Sequence, residues 1–341
     1  MESLRTTPVE CVKCGHEVVT DFDSIMRHDI LECSNCGSKF HIFDVYDLYY
    51  AQEPLVKSGV DLILSYANQP WTIKEGRKGS SEAIKKLLAD SNFSSLLETI
   101  LHDVVLYGDS YLHIQRDPET KAIAQLVPLD AKAVTVKLGK EVHIGLAWTG
   151  EREIEGFVVT NGKTEKILTP ADIIHSKSIV YTDPYAPYGE SIIRINLKPI
   201  HYLRTTRAPA LAQGTSWWIN YLEDEICLGM GVPRFLFEKG YIRYGKRNIE
   251  FASTLFVAHV RDALRAVADA FRSQLFGQAL GIQDFHELPS IKFKGFDSFR
   301  LLRDGGYDFA EEIKGFKQLY QTGIISKEEY EKSIAKFLGK E

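Results

Sequence analysis

The sequence predicts an α+β protein, and three observations predict it. Residues about 110–170 alternate apolar and polar side chains with the period of two that marks strands. On either side the apolar residues recur at helical spacing. Residues 1–45 stand apart, because four of the five cysteines fall there as two pairs. A length of 341 residues allows about two domains of roughly 150 residues each, with a sizeable core.

Taken in order, Cys11-Val12-Lys13-Cys14 and Cys33-Ser34-Asn35-Cys36 are separated by 18 residues. That is the spacing of a tetrahedral zinc site, in which two thiolates on each tight turn reach one ion. Gly15 and Gly37 follow the pairs, where the backbone must turn with positive φ. Four thiolates close the coordination sphere. Cys11, Cys14, Cys33 and Cys36 are therefore expected to hold a structural Zn2+ as a zinc ribbon that folds largely on its metal. Redox dithiols or an iron–sulfur cluster are the alternatives, and His16 and His41 are close enough in sequence to substitute as ligands. Met1–Arg5 carries no apolar segment, so no secretory signal is expected and the cysteines read as reduced. Cys227 lies in an apolar helical context and reads as a small buried hydrophobe.

A short helix is expected over Val60–Ala67, then a break at Asn68–Trp71 and an exposed basic loop over Lys74–Ser81. Ser80 or Ser81 caps a helix carrying Ile84, Leu87 and Leu88. Asn92 or Ser94 opens another, which closes at Tyr107-Gly108 on a left-handed glycine. Strands follow at Tyr111–Arg116 and Ile123–Leu129, then Val134–Leu138 and Val142–Trp148 around Gly139-Lys140. The last pair flanks Asn161-Gly162, a strong hairpin signal. Together they read as one antiparallel β-meander. Beyond Ser191 the chain reads as helix, interrupted by Pro199 and Pro209 and broken at Gly229–Pro233. A short strand at Arg234–Glu238 precedes a long helix over about 248–276. Its Phe256, Val260, Leu264, Val267 and Phe271 share one face. Leu288–Phe293 is a strand candidate. Phe309–Leu319 and Ser326–Leu338 are helices, the second opened by a Ser326/Glu329 capping box.

Composition excludes several classes. With 44% hydrophobic and 26% charged residues the chain is neither disordered nor collagen-like. No apolar run nears the roughly 18 residues of a membrane span. The formal net charge of -5 disfavours tight non-specific DNA binding, which relies on Lys and Arg displacing counterions. No P-loop, G-x-S-x-G or G-x-G-x-x-G motif is present. Asp172 and His175 could serve in metal or acid–base chemistry if they lay one turn apart. The plainer reading is a helix start, with Thr169 as cap and Pro170 in the first position. Trp217-Trp218 reads as core or subunit contact.

Several short motifs then occur in a recognisable order. They are Val104-Val105-Leu106-Tyr107-Gly108-Asp109-Ser110-Tyr111-Leu112, Ile123 to Asp130 with its Pro128-Leu129-Asp130 turn, and Pro170-Ala171-Asp172-Ile173-Ile174-His175. Tyr188-Gly189-Glu190-Ser191-Ile192-Ile193 and Gly231-Val232-Pro233-Arg234-Phe235-Leu236 follow. In this order residues about 60–341 resemble the portal proteins of tailed double-stranded DNA viruses, with an added N-terminal zinc ribbon. The usual proline after Ser191 is Ile192 here, and the chain is short for the family. The resemblance implies a portal-like fold with a β-rich wing, a helical stem, a small α/β clip and C-terminal helices. The expected division is 1–45 zinc ribbon, 46–190 wing, 191–231 stem, 232–294 clip, and 295–341 returning to the wing and inner channel. It implies a non-enzymatic virion protein: a homo-oligomeric ring, usually a dodecamer, at one capsid vertex, assembled in the host cytoplasm. Such a ring passes DNA during genome packaging and ejection and connects head to tail. Its partners would be double-stranded DNA, the terminase or packaging ATPase, and capsid and head–tail adaptor proteins, with no membrane. Twelve copies at -5 each carry about -60, which suits a conduit that repels phosphate. Lys292, Lys294, Arg300 and Arg303 are the candidates to touch the passing backbone. The alternative is a zinc-ribbon nucleic-acid processing or replication enzyme. The ribbon itself is expected to be a separable module whose metal can be removed without disturbing the rest.

Overall fold

The computed structural model describes residues 6–21, 24–25, 30–76, 80–141, 152–162, 164–178, 188–189, 191–207, 216–236, 246–294, 310–322 and 324–338. It divides into two units, Met1–Met230 with His259–Lys294, and Gly231–Ala258 with Gly295–Glu341. Among the described residues no helix is long and apolar enough to cross a membrane.

The first unit opens with two small hairpins. Strands β1 (Thr6–Glu10) and β2 (Glu17–Asp21) flank the first cysteine pair, and β3 (Ile30–Glu32) and β4 (Lys39–His41) flank the second. Helix α1 (Ile42–Gln52) leaves β4 without a linker. His41 caps it: Nδ1 accepts from the Phe43 N–H at 3.1 Å, and the Asp44 carboxylate accepts from the His41 N–H at 2.9 Å. This helix buries Ile42, Phe43, Val45, Tyr46 and Tyr49. Pro54 then starts α2 (Pro54–Ala67) from the first position, where its missing N–H costs nothing. The sequence pattern detects only the second half of α2. Burial nearly all round leaves α1 without the polar face that marks a helix.

Strand β5 (Trp71–Lys74) runs from the end of the expected break to the first residue of the expected loop and pairs with β12 (Ser290–Phe293), Ile73 opposite Ile291. Helices α3 (Ser80–Asp90) and α4 (Phe93–Leu106) follow, and Gly108 turns the chain with φ 89°. The expected meander is two sheets rather than one. Strands β6 (Asp109–Arg116) and β7 (Ile123–Leu129) form a hairpin. A 3-10 turn at Ala131–Ala133 then ends that sheet, and β8 (Val134–Glu141), β9 (Arg152–Asn161) and β10 (Thr164–Leu168) form the second. Asn161-Gly162 makes its hairpin with Gly162 at φ 62°. Gly139-Lys140 is not a turn: β8 runs through it, with register irregularities where Leu138 and Glu141 face β9. Val142–Trp148 lies outside the described residues.

Thr169 stands at the cap and Pro170 in the first position as expected, but no α-helix follows. Pro170–Asp172 is a single 3-10 turn, and Ile173–Lys177 is strand β11, which joins β6 to give the order β11-β6-β7. Consecutive β-branched Ile173 and Ile174, both fully buried, favour the strand. Helix α5 (Leu197–Arg207) contains Pro199 in its first turn, where no N–H partner is lost, and runs on unbroken. Helix α6 (Ser216–Gly229) packs against it. Pro209 lies outside the described residues.

Helix α7 (Lys246–Ala270) continues through a π-turn at Phe271–Phe276 and ends at Gly281 with φ 64°. Phe256, Val260, Leu264, Val267 and Phe271 are all buried, as their shared face predicts. In the second unit, Arg234–Leu236 is a 3-10 turn and not a strand. Helices α8 (Ala310–Gln321) and α9 (Lys327–Leu338) are joined through the expected capping box, with Ser326 and Glu329 bonded reciprocally at 2.8 and 3.2 Å. Tyr320 stacks on Tyr330 at 5.2 Å.

Candidate functional site

The cysteine turns are near copies of each other. The Cys11 carbonyl accepts from the Gly15 N–H at 2.9 Å and the Cys33 carbonyl from the Gly37 N–H at 2.8 Å, with φ 70° and 65° at the two glycines. Cys11 and Cys33 are buried, and Cys14 and Cys36 are exposed. All four Sγ atoms lie within 4.8 Å of one another, and the Cys11–Cys36 and Cys14–Cys33 pairs are 3.7 Å apart. A tetrahedron with metal–sulfur bonds of about 2.3 Å has edges of about 3.8 Å, so the donor set fits such an ion. Burial pushes the Cys11 thiol up, but the Ser38 hydroxyl and the N–H groups of Lys13 and Cys14 outweigh it and bring the thiol down to about 6. Burial pushes Cys33 up to about 11. A bound dication would displace the remaining protons. His41 is committed to capping α1, and the cluster comprises the four cysteines.

The ribbon is stitched to the body by ion pairs that sequence reasoning missed. Arg204 of α5 donates two bonds to the Glu10 carboxylate at 2.9 and 3.0 Å and a third to Gln52 Oε1 at 2.9 Å. Its guanidinium lies 5.5 Å from the centre of the Tyr49 ring. His201, one turn earlier and buried, bonds through Nε2 to Glu17 at 2.8 Å. Glu10 immediately precedes the first cysteine and Glu17 follows the turn, so both ends of the metal loop are tied to α5. These contacts, and α1 growing directly from β4, join the ribbon to the body.

Three of the short motifs meet at a second place, a buried polar knot. Asp109, fully buried, accepts from His175 Nε2 at 2.6 Å and from the Gly189 N–H at 2.8 and 2.9 Å. Tyr111 stacks on the His175 ring at 4.6 Å, and Phe157 meets its edge at 5.7 Å. The Gly108 carbonyl accepts from the Ser178 N–H at 2.8 Å. A Cβ on Gly189 would lie 2.0 Å from that carbonyl oxygen, so only glycine fits. The Ser191 hydroxyl donates to the Leu106 carbonyl, and the Tyr188 hydroxyl accepts from the Val136 N–H at 3.1 Å. Gln274, in the π-turn, covers the outer edge of β11. Its Oε1 accepts from the His175 N–H at 2.7 Å and its Nε2 donates to the His175 carbonyl at 3.1 Å.

Asp172 and His175 are not brought together. Asp172 accepts from the Thr169 hydroxyl at 2.6 Å and lies 3.9 Å from Arg116, whereas His175 points to Asp109. Asp172 ends the 3-10 turn and His175 lies in β11 beyond it, so the spacing of three is not a turn of α-helix. The Asp109 carboxylate, the Gly189 N–H, the Ser191 and Tyr188 hydroxyls and the Gln274 amide all face structural partners. Lys292 and Lys294 are exposed on and just after β12, and the Lys294 N–H donates to the Pro70 carbonyl at 2.7 Å. Arg300 and Arg303 lie outside the described residues. Cys227 is buried, as its context predicts.

No protein-family model matches this chain, and no curated protein does. Solved structures share its fold. A chain of the neck of a native gene transfer agent particle, computed with C12 symmetry, superimposes with a TM-score of 0.54 at 17% identity, covering 89% of this chain and 94% of that one. A chain of the neck of an empty particle, computed with C6 symmetry, gives 0.53 at 18% identity over 83% and 91%. The mixed helix-and-strand architecture is thus that of a neck protein along nearly the whole of both chains.

Proposed function

We propose that this chain is a portal-type subunit of a head–tail connector. It would be a structural virion protein that closes with copies of itself into a ring at one capsid vertex and lets duplex DNA pass. The observation that carries this reading is the fold shared with a C12 neck chain over 89% of the sequence. In this reading residues 46–190 are the wing, 191–231 the stem, 232–294 the clip and 295–341 the return to the channel. Terminase, capsid and adaptor proteins would be the other partners. The polar knot supports a structural role, since it fixes three chain segments. Asp172 and His175 lack the mutual contact that the nuclease alternative needs.

Cys11, Cys14, Cys33 and Cys36 would hold Zn2+, whose contribution is to fold the ribbon. The ribbon in turn would hold α5 through Glu10 and Glu17. A net charge of -5 per copy keeps a ring's surface from gripping phosphate. Native mass spectrometry tests the reading: an assembly at a single integer multiple of 38.6 kDa is expected, carrying one metal per copy. A protomer that never associates would overturn it.

A further inference from the structure

We propose that Ser38 is a positioning residue of the metal centre, its hydroxyl bridging the two cysteine turns and hydrogen-bonding their thiolates. The inference rests on the metal reading above and stands apart from the ring. Ser38 Oγ lies 3.3 Å from Cys11 Sγ and 3.1 Å from Cys36 Sγ, so one hydroxyl meets a ligand from each turn. Those two sulfurs are 3.7 Å apart, one edge of the donor tetrahedron. The Ser38 backbone is held by the same turn. Its carbonyl accepts from the Cys33 N–H at 2.9 Å, and its N–H donates to the Cys36 sulfur. A serine hydroxyl has one proton to give, and two ionised sulfurs have none. The hydroxyl is therefore the donor, to Cys11 or to Cys36 at any moment.

The two turns are near copies in backbone and differ in this respect. Aligned, Cys11-Val12-Lys13-Cys14-Gly15-His16 and Cys33-Ser34-Asn35-Cys36-Gly37-Ser38 place Ser38 opposite His16 and Asn35 opposite Lys13. Asn35 Nδ2 donates to Cys14 Sγ at 3.7 Å. The second turn thus offers a side-chain donor to each ligand of the first, Ser38 to Cys11 and Asn35 to Cys14. Four thiolates around a dication leave an excess of negative charge, and Cys11 and Cys33 carry their share of it in buried positions. A hydrogen bond to an ionised sulfur stabilises that charge more than a neutral pair would. Partners of this kind, which touch the ligands and not the ion, set metal affinity by about 10–100-fold. Ser38 is the stronger of the two donors, being nearer and only partly exposed.

The test uses the full chain, with Zn2+ and Co2+ as probes. Ser38→Ala should weaken Zn2+ binding about 10–100-fold in competition with a chromogenic chelator. In the Co2+-loaded chain its thiolate-to-metal charge-transfer band should move to longer wavelength, because a sulfur lone pair that loses a hydrogen bond rises in energy. The band reports only on chains whose four-sulfur site has formed, so poorer folding of a variant would lower its height and not shift it. Ser38→Thr keeps the hydroxyl and should restore both readings. Ser34→Ala removes an exposed hydroxyl from the same turn and should leave both at the wild-type values. Wild-type affinity or an unmoved band in Ser38→Ala, failure of Ser38→Thr to restore them, or an equal loss in Ser34→Ala would overturn the role of Ser38. A wild-type chain that takes up neither ion would overturn the metal reading instead.

Discussion

Replacing Asp109 with alanine perturbs a fully buried carboxylate that gathers three segments of the chain. The carboxylate accepts from His175 at 2.6 Å and from the Gly189 N–H through both oxygens. Asp109→Ala strands the buried Gly189 donor without its acceptor. It also leaves a cavity beneath the Tyr111–His175 stack. A buried donor left unsatisfied costs about 1–3 kcal/mol. Losing the hydrogen bond between His175 and the carboxylate adds about 1.5–3 kcal/mol, roughly 3–5 kcal/mol in all. For a chain of this size a kilocalorie shifts the midpoint by about 2–4 °C, so a fall of roughly 6–20 °C is expected. Asp109→Asn keeps the volume and an acceptor for Gly189 and loses only the charge-assisted bond, so its cost should be nearer 1–2 kcal/mol. Differential scanning calorimetry on both variants reads the ranking. If Asp109→Ala melts within about 2 °C of the wild type, or no lower than Asp109→Asn, the knot is not what joins these segments.

Three further outcomes are expected. Gly189→Ala places a methyl group 2.0 Å from the Gly108 carbonyl oxygen, a backbone atom that cannot rotate away, and should cost about 3 kcal/mol or more by thermal melting. Chelation of the metal should abolish amide protection in residues 6–41 and also lower it in α5, because Arg204 and His201 lose Glu10 and Glu17 as anchors. Hydrogen exchange confined to the ribbon would contradict the stitched attachment. Burial holds the His259 imidazole below its ordinary 6.5. The unfolded chain therefore takes the proton first, and this residue's effect on stability is flat above about 6.5. Stability then falls as the pH drops towards the folded value, with a slope of at most ~1.4 kcal/mol per unit. His259→Asn should remove that slope from denaturant titrations run at a series of pH values.

The legible parts of this molecule are those whose chemistry is local. Cys-x-x-Cys-Gly encodes its own turn, and the positive φ at Gly15 and Gly37 follows from the residues alone. Asn161-Gly162, the Tyr107-Gly108 helix end and the Ser326/Glu329 box are of the same kind. What sequence reasoning misses is set by distant partners. Strand β5 exists because β12 pairs with it across more than two hundred residues of chain. Ile173–Lys177 is a strand because β6 receives one edge and Gln274 the other. Arg204 and Glu10, 194 residues apart, carry no local pattern at all. The motifs are visible as short words in a fixed order, but the convergence of three of them on Asp109 is not, since nothing in a linear reading brings Gly189 to Gly108.

End-on electron micrographs of the purified, metal-loaded protein test the ring most directly. The account predicts rotationally symmetric particles with an open centre wide enough for a duplex of about 20 Å, consistent with twelve copies of 38.6 kDa, about 463 kDa in all. Filled, asymmetric or single-chain particles under every salt and concentration would contradict it.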